Sequence, residues 1–352
     1  LDFKVARETQ PDAPLPFAAS YPGGRTRVAE QIEAARTCHA SRFGAPPAGM
    51  WPAEGAVSAA FVKQLAEQGC RWIASGEGVL RASLGHGGAT DSRAAYKPWR
   101  LESAPGLTLF FRDERLSDLI GFEYAKWHGQ DAARHFVAEL EAIYAATPPS
   151  EQAVVSVILD GENAWEHYPY NGHYFFEDLY AQIEAHTHIR TTTFAELIGR
   201  ENPPPRNTLP GLTAGSWVFG TLSTWIGDAD KNRAWDLLCS AKQSYDQVMA
   251  GERLDPAERA AATAQLAICE SSDWFWWFGD YNPAAAVAGF DRLYRRNLAN
   301  LYSLLHLPQP AQLEVPISIS VQGGQATDGH AKHPKADKGS GVMRRAQEQP
   351  AS

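Results

Sequence analysis

Apolar positions along this chain fall into two regimes. Up to about residue 200, short β-branched or aromatic runs alternate with amphipathic stretches; beyond it only the helical period persists. Residues 25–43 (RTRVAEQIEAARTCHASRF) read as a helix, AGMWP (48–52) and CRWIAS (70–75) as strands flanking a helix at about 58–68, and LTLFFRD (107–113) as a further strand. The segment 131–146 predicts a strong helix, with Asp131 placed to cap it and Phe136, Leu140, Ile143 and Tyr144 on one stripe. AVVSVILD follows as a strand buried on both faces, then a helix near 174–185 and a strand at HIRTTT (188–193). Alternating β and α elements predict a parallel sheet or barrel.

The punctuation changes at NPPPRNTLPG (202–211), which reads as a linker. Past it come three helical stretches, 232–249, 256–270 (with proline at its start) and 285–305, which predict a bundle. The expected organisation is an irregular segment over 1–24, a partial (β/α) domain over 25–201, the linker, a helical domain over 212–310 that completes the cleft, and a polar, disordered tail over 316–352.

Composition narrows the function. The chain has 352 residues, enough for two domains, and a net charge of −9, which argues against a nucleic-acid partner. No apolar run is long enough to span a bilayer, and the first residues lack a signal-peptide pattern. The four cysteines (Cys38, Cys70, Cys239 and Cys269) are widely spaced, as expected of reduced thiols in a cytoplasmic protein. Eleven tryptophans, several of them clustered, fit a carbohydrate cleft as well as a packed core.

The chemistry concentrates at VVSVILDGENAWEHYPYNG (154–172). Its apolar run stops at Asp160 and Glu162, and Trp165 follows, a flat side chain suited to stacking on a sugar. Turn capping by Asp160 and a solvated Glu162 is the plainer alternative. Glu54 follows a strand candidate beside Trp51; two carboxylates on different strand ends suit glycoside hydrolysis, although Glu54 is equally an acid near a helix N-terminus. Arg112 and Asp113 end another strand, either as a substrate-orienting pair or as a loop salt bridge. Trp217, Trp225 and Trp274 lie in aromatic blocks with glycines or Asp273 beside them, placed for a sugar platform or for packing. No His/Asp/Cys set has metal-ligand spacing, and neither a phosphate loop nor a dinucleotide glycine motif is present, so no metal or cofactor is expected.

At GMWPAEGAVS, FRDERLSDLIGF, ILDGENAWE, GSWVFGTLSTWIGDADKNRAWDLL and ESSDWFWWFGD the chain resembles glycoside hydrolase family 57, the α-amylase, amylopullulanase and glucanotransferase group. The resemblance runs from about residue 20 to 310 and implies an incomplete (β/α)7-type barrel followed by an α-helical bundle domain. It further implies a retaining enzyme acting on α-glucan, with Glu54 as nucleophile and Asp160, rather than Glu162, as general acid. Trp51, Arg112, Asp113, Glu162, Trp165, Trp217, Trp225, Asp273 and Trp274 are then expected around the substrate. The family's amino-terminal His-Gln-Pro motif does not occur, so a chain shortened at the start of the barrel is expected. Three alternatives stay open: a catalytically silent glucan-binding fragment, a 4-α-glucanotransferase or branching-type transglycosylase, and, against the lack of a metal set, a polysaccharide deacetylase.

Overall fold

The computed structural model describes residues 2–88, 93–161 and 165–318. Among the described residues its contacts divide the chain into two units, one being residues 43–220 and the other joining residues 2–42 with residues 221–318.

Phe43–Gly220 is a mixed α/β unit around one five-stranded sheet, in the order β1-β2-β4-β3-β5. The strands are β1 (Gly49–Met50), β2 (Trp72–Gly76), β3 (Trp99–Leu101), β4 (Ala104–Arg112) and β5 (Asn207–Leu209). β1, β2 and β4 run parallel, as the alternation predicts, with Ala74 opposite Phe110 and Gly76 opposite Arg112. The expectation of an all-parallel sheet fails at β3, which lies antiparallel to β4. Only Glu102 and Ser103 separate these strands, and so short a connection admits only an antiparallel hairpin. β5 runs parallel to β3, inside the segment expected to be a linker.

Two apolar clusters frame the sheet. Ala74, Phe110, Val154 and Leu197 pack together, with Trp51, Trp72, Ile158 and Phe194 against them. Helices Gly129–Ala146 and His173–Ala185 pack through Ala132, Ala133 and Phe136 on one side and Phe175, Leu179 and Ile183 on the other. Leu140 and Ile143 join this cluster, but Tyr144 is half exposed and stacks on His188 instead. Asp131 falls in the first helical turn rather than at the cap, which is His128. The run 154–159 forms no ladder. Its only bridge joins Ser156 to Arg112, and 188–193 carries no regular structure.

The second unit is helical. Helices Ala229–Met249, Pro256–Cys269 and Ala284–Leu304 bury Leu238, Leu266, Tyr294 and Leu298 in one core. Asp255 and Glu258 close a reciprocal capping box ahead of Pro256. Helix Gly24–Phe43, expected with the α/β part, belongs here instead. The cause is Glu270, whose carboxylate accepts from Tyr21 Oη (2.5 Å), Arg27 Nη2 (2.7 Å) and Gln31 Nε2 (2.7 Å). That buried ion pair carries the Arg27 guanidinium well above its ordinary range, hydrogen bonding to Glu270 being the main cause. No helix among the described residues is long and apolar enough to cross a membrane.

Candidate active site

β1 delivers the chain to Trp51 and Pro52, and a single 3-10 turn, Ala53–Gly55, follows. Within it Glu54 takes the left-handed conformation, φ 54°, which costs a non-glycine residue about 1–2 kcal/mol. The surroundings fix that conformation. Gly55 N–H bonds Pro52 O (2.8 Å), Trp217 N–H bonds Glu54 O (3.0 Å), and Ser75 Oγ donates to Gly55 O (2.6 Å). An antiparallel bridge between Val57 and Gly215 clamps the turn from the other side.

The same clamp seizes the Glu54 side chain. Trp217 Nε1–H donates to Glu54 Oε2, and the Trp51 ring meets the Trp217 ring edge-on at 5.2 Å. The approach depends on glycine at the end of β2, because a Cβ on Gly76 would lie 2.6 Å from Trp217 Cα. Gly78 and Gly220 meet backbone to backbone just beyond it.

Across the strand ends lies a second group of charges. Arg112, at the end of β4, is 5% exposed, and its guanidinium sits 4.5 Å above the Trp217 ring. Nη2 bonds Asp118 (2.8 Å) and Nε bonds Ile158 O (2.9 Å). Burial pushes the Asp118 carboxyl upward, and Arg112 opposes that shift. Burial likewise raises the Glu114 carboxyl, against the hydrogen bond it accepts from Gly78 N–H (3.0 Å). Arg112 therefore pairs with Asp118 and not with its neighbour Asp113. Both oxygens of Asp113 serve the fold, accepting from Leu116 N–H (2.7 Å) and Tyr96 Oη (2.8 Å).

Asp160 follows Ile158 by two residues on the segment bridged to β4, and is half-buried. Glu162 lies outside the described residues. Glu54, Trp51, Trp217 and Arg112 are thus brought together, with the backbone leading to Asp160 bonded to Arg112. Trp165 instead packs on Phe176 (4.5 Å) and Tyr168 (5.7 Å). Trp225, Asp273 and Trp274 belong to the helical unit. There the Trp225 carbonyl accepts from Trp235 Nε1–H (3.0 Å), Trp274 Nε1–H bonds Ile268 O (2.8 Å), and Asp273 is exposed. Asp118 and Glu114 were not anticipated as part of the cluster. Both carboxylates stand in the FRDERLSDLIGF block, but no spacing rule marks a partner six residues from Arg112.

Among the described residues no cluster of three or more His, Cys, Asp or Glu could hold a metal. A cavity of about 240 Å³ lies elsewhere, at the opposite ends of β2 and β4, lined by Arg71, Thr108, Phe110, Pro204 and Arg206. No carboxylate among the described residues lines it. A carboxylate with one oxygen held by an N–H donor, on a backbone held in a costly conformation, suits a nucleophile or base whose orientation must not vary.

The sequence profile of glycosyl hydrolase family 57 matches residues 13–210. No curated protein matches the chain. Solved structures similar in fold include three glucan-active enzymes. A GH57 branching enzyme from Thermococcus kodakaraensis has a TM-score of 0.66 at 15% identity, over 81% of this chain and 63% of its own. The alpha-amylase AmyC from Thermotoga maritima has 0.59 at 15%, over 82% and 65%. A 4-alpha-glucanotransferase from Thermococcus litoralis has 0.55 at 18%, over 82% and 46%. The chain therefore spans less than two thirds of the length of each.

Proposed function

This chain belongs to glycosyl hydrolase family 57, and from that premise we propose that it is a retaining α-glucan-active enzyme. The activities named for its structural neighbours, an alpha-amylase, a branching enzyme and a 4-alpha-glucanotransferase, support α-glucan as substrate. The observation that carries the reading is Glu54, held in the left-handed region with its carboxylate bound by Trp217. An incomplete barrel followed by a helical bundle is the architecture that goes with it, and four widely spaced cysteines suit a reducing, cytoplasmic setting.

In the proposed reaction a Glu54 oxygen attacks the anomeric carbon while the glycosidic C–O bond breaks. Asp160 gives its proton to the leaving oxygen, and a glycosyl-Glu54 ester remains. Asp160, now ionised, takes a proton from water or from a sugar hydroxyl. The oxygen so activated attacks the anomeric carbon and frees Glu54. Water gives hydrolysis, and a sugar hydroxyl gives transfer or branching. Trp51, Trp217 and Arg112 are the proposed substrate-side contacts nearest Glu54, and Trp165 belongs to the segment after Asp160. In the helical unit, Trp225, Asp273 and the open edge of Trp274 are the proposed glucan contacts.

Incubation of the polypeptide with maltooligosaccharides, amylose and pullulan tests this. The expected result is product with retained anomeric configuration, lost by at least about 10³-fold in both Glu54→Gln and Asp160→Asn. Unchanged turnover in either variant would reject that residue's role. A second reading is a glucan-binding protein without turnover. Glucan binding without product would establish it.

A further inference from the structure

We infer that Asp118 is a positioning residue for Glu54, acting through Arg112 and Trp217. The inference rests on the reading of Glu54 as nucleophile and adds a residue that acts on it through two other side chains.

The contacts form one line. Asp118 bonds the Arg112 guanidinium at 2.8 Å; the guanidinium lies 4.5 Å over the Trp217 ring; Trp217 Nε1–H donates to Glu54. Each link constrains the next. The Arg112 side chain is only 6% exposed, so it needs a carboxylate partner, and Asp118, at 16%, is the one that meets it. The Ile158 carbonyl holds Nε and sets the plane of the guanidinium. A guanidinium fixed over one face of an indole fixes the tilt of that ring. The tilt aims the ring N–H, and the N–H sets the rotation of the Glu54 carboxylate about its last bond. One oxygen is thereby engaged and the other is presented in a constant direction.

The remaining charged groups around Arg112 do not replace Asp118. Asp113 has both oxygens committed to Leu116 and Tyr96. Glu114 is bound to Gly78 N–H. Loss of the Asp118 charge leaves a buried guanidinium to seek another acceptor, and the indole then loses its fixed neighbour.

The test reads the line at both ends. The chain has eleven tryptophans, so an NMR spectrum of indole N–H groups carries eleven signals, and Trp217→Phe assigns one. In Asp118→Asn that signal is expected to move and to lose its protection from exchange, with Trp51 beside it shifting less and the other nine staying in place. On maltooligosaccharides, kcat should fall about 10–100-fold with KM within about twofold, as for a misoriented catalytic group. Asp118→Glu should recover part of the loss. In a Trp217→Phe background, Asp118→Asn should cost little more. A Trp217 signal unmoved in folded Asp118→Asn, or kinetic effects that simply add, would overturn the inference. Should Asp118→Asn fail to fold, Arg112→Lys with the same two readouts decides it, since it keeps the charge but not the planar fork. A wild-type chain that turns over no glucan removes the reading of Glu54 as nucleophile, while the indole signal still decides whether Asp118 orients Trp217.

Discussion

Two tryptophan blocks of similar appearance, one in each unit, are put to different use. In the α/β unit, GSWVFG lies against the glycine end of β2, and Trp217 spends its N–H on a carboxylate. In the helical unit, SDWFWWFGD turns inward: Phe275 and Phe278 are fully buried, and Trp274 spends its N–H on the Ile268 carbonyl. Each block is paired with a buried cation. Arg112 meets a side-chain carboxylate, Asp118, whereas Lys231 meets the backbone. Thr224 O (2.7 Å), Phe275 O (2.5 Å), Phe278 O (2.6 Å) and Tyr281 Oη (2.8 Å) surround its Nζ at hydrogen-bond distance and share its three protons. A cation bound to carbonyls organises the fold around itself. One bound to a carboxylate and an aromatic face can pass orientation on to a third group. A tryptophan cluster in a sequence therefore says little until the partner of each N–H is known.

The largest effect that separates the two regions is expected at Lys231. Lys231→Met strands three buried carbonyls and should cost about 3–5 kcal/mol, read as a lower denaturation midpoint. Burial also draws the Lys231 ammonium down from 10.5 to about 7, against the pull of Asp228 and Asp230. Below about pH 7 the ammonium is charged in both folded and unfolded chains, and its burial cost is fully present. Between about 7 and 10.5 the unfolded chain keeps a proton that the folded chain has released, so stability contributed by this site rises with pH. The difference between wild type and Lys231→Met should widen over that window. A flat difference would mean that the ammonium keeps its proton.

A matched pair of substitutions tests the comparison directly. Trp217→Phe should lower kcat by about 10²-fold, the scale for removing one fixed donor from a reacting site, with a stability loss under about 1.5 kcal/mol. Trp274→Phe should cost about 1 kcal/mol of stability for its lost hydrogen bond and leave kcat within about twofold. The reverse pattern would erase the distinction. Gly76→Ala sharpens it without touching an aromatic ring. The added methyl must push the Trp217 backbone away, costing about 1–3 kcal/mol and also lowering kcat, whereas Gly106→Ala, with open space around it, should do neither.

What the sequence made legible follows from which signals are local. Helix periodicity located Ala59–Glu67, His173–Ala185 and the three long helices after Thr221 to within a few residues. β3 is three residues in a tight hairpin, too short for alternation to register, and β5 is masked by the prolines around it. The Val154–Leu159 run has strand composition, yet its β4 neighbour accepts it at one bridge only. The position of Glu54 after β1 could be read from the chain, and so could the glycines beside Trp217. The clamp on it could not, because Trp217 is distant in sequence and Asp118 acts through two other side chains. Placing helix Gly24–Phe43 required knowing that Glu270 answers Arg27 across the helical unit.

The smallest expected effect is the most discriminating for the helical unit. Asp273 is exposed, lies in the first turn of a six-residue helix, and among the described residues has a single long contact, from Ser271 Oγ (3.4 Å). Asp273→Ala should therefore change stability by less than about 0.5 kcal/mol, as for an ordinary surface substitution. If this carboxylate bonds sugar hydroxyls, its removal should weaken maltooligosaccharide binding by about 0.5–1.5 kcal/mol, a factor of up to about tenfold. Calorimetric titration of Glu54→Gln, with and without Asp273→Ala, measures that loss without turnover consuming the ligand. Equal affinities would confine the tryptophan-rich block to packing and leave glucan recognition to the strand ends around Trp51 and Trp217. A lower affinity at unchanged stability would make the helical unit a second contributor to substrate binding.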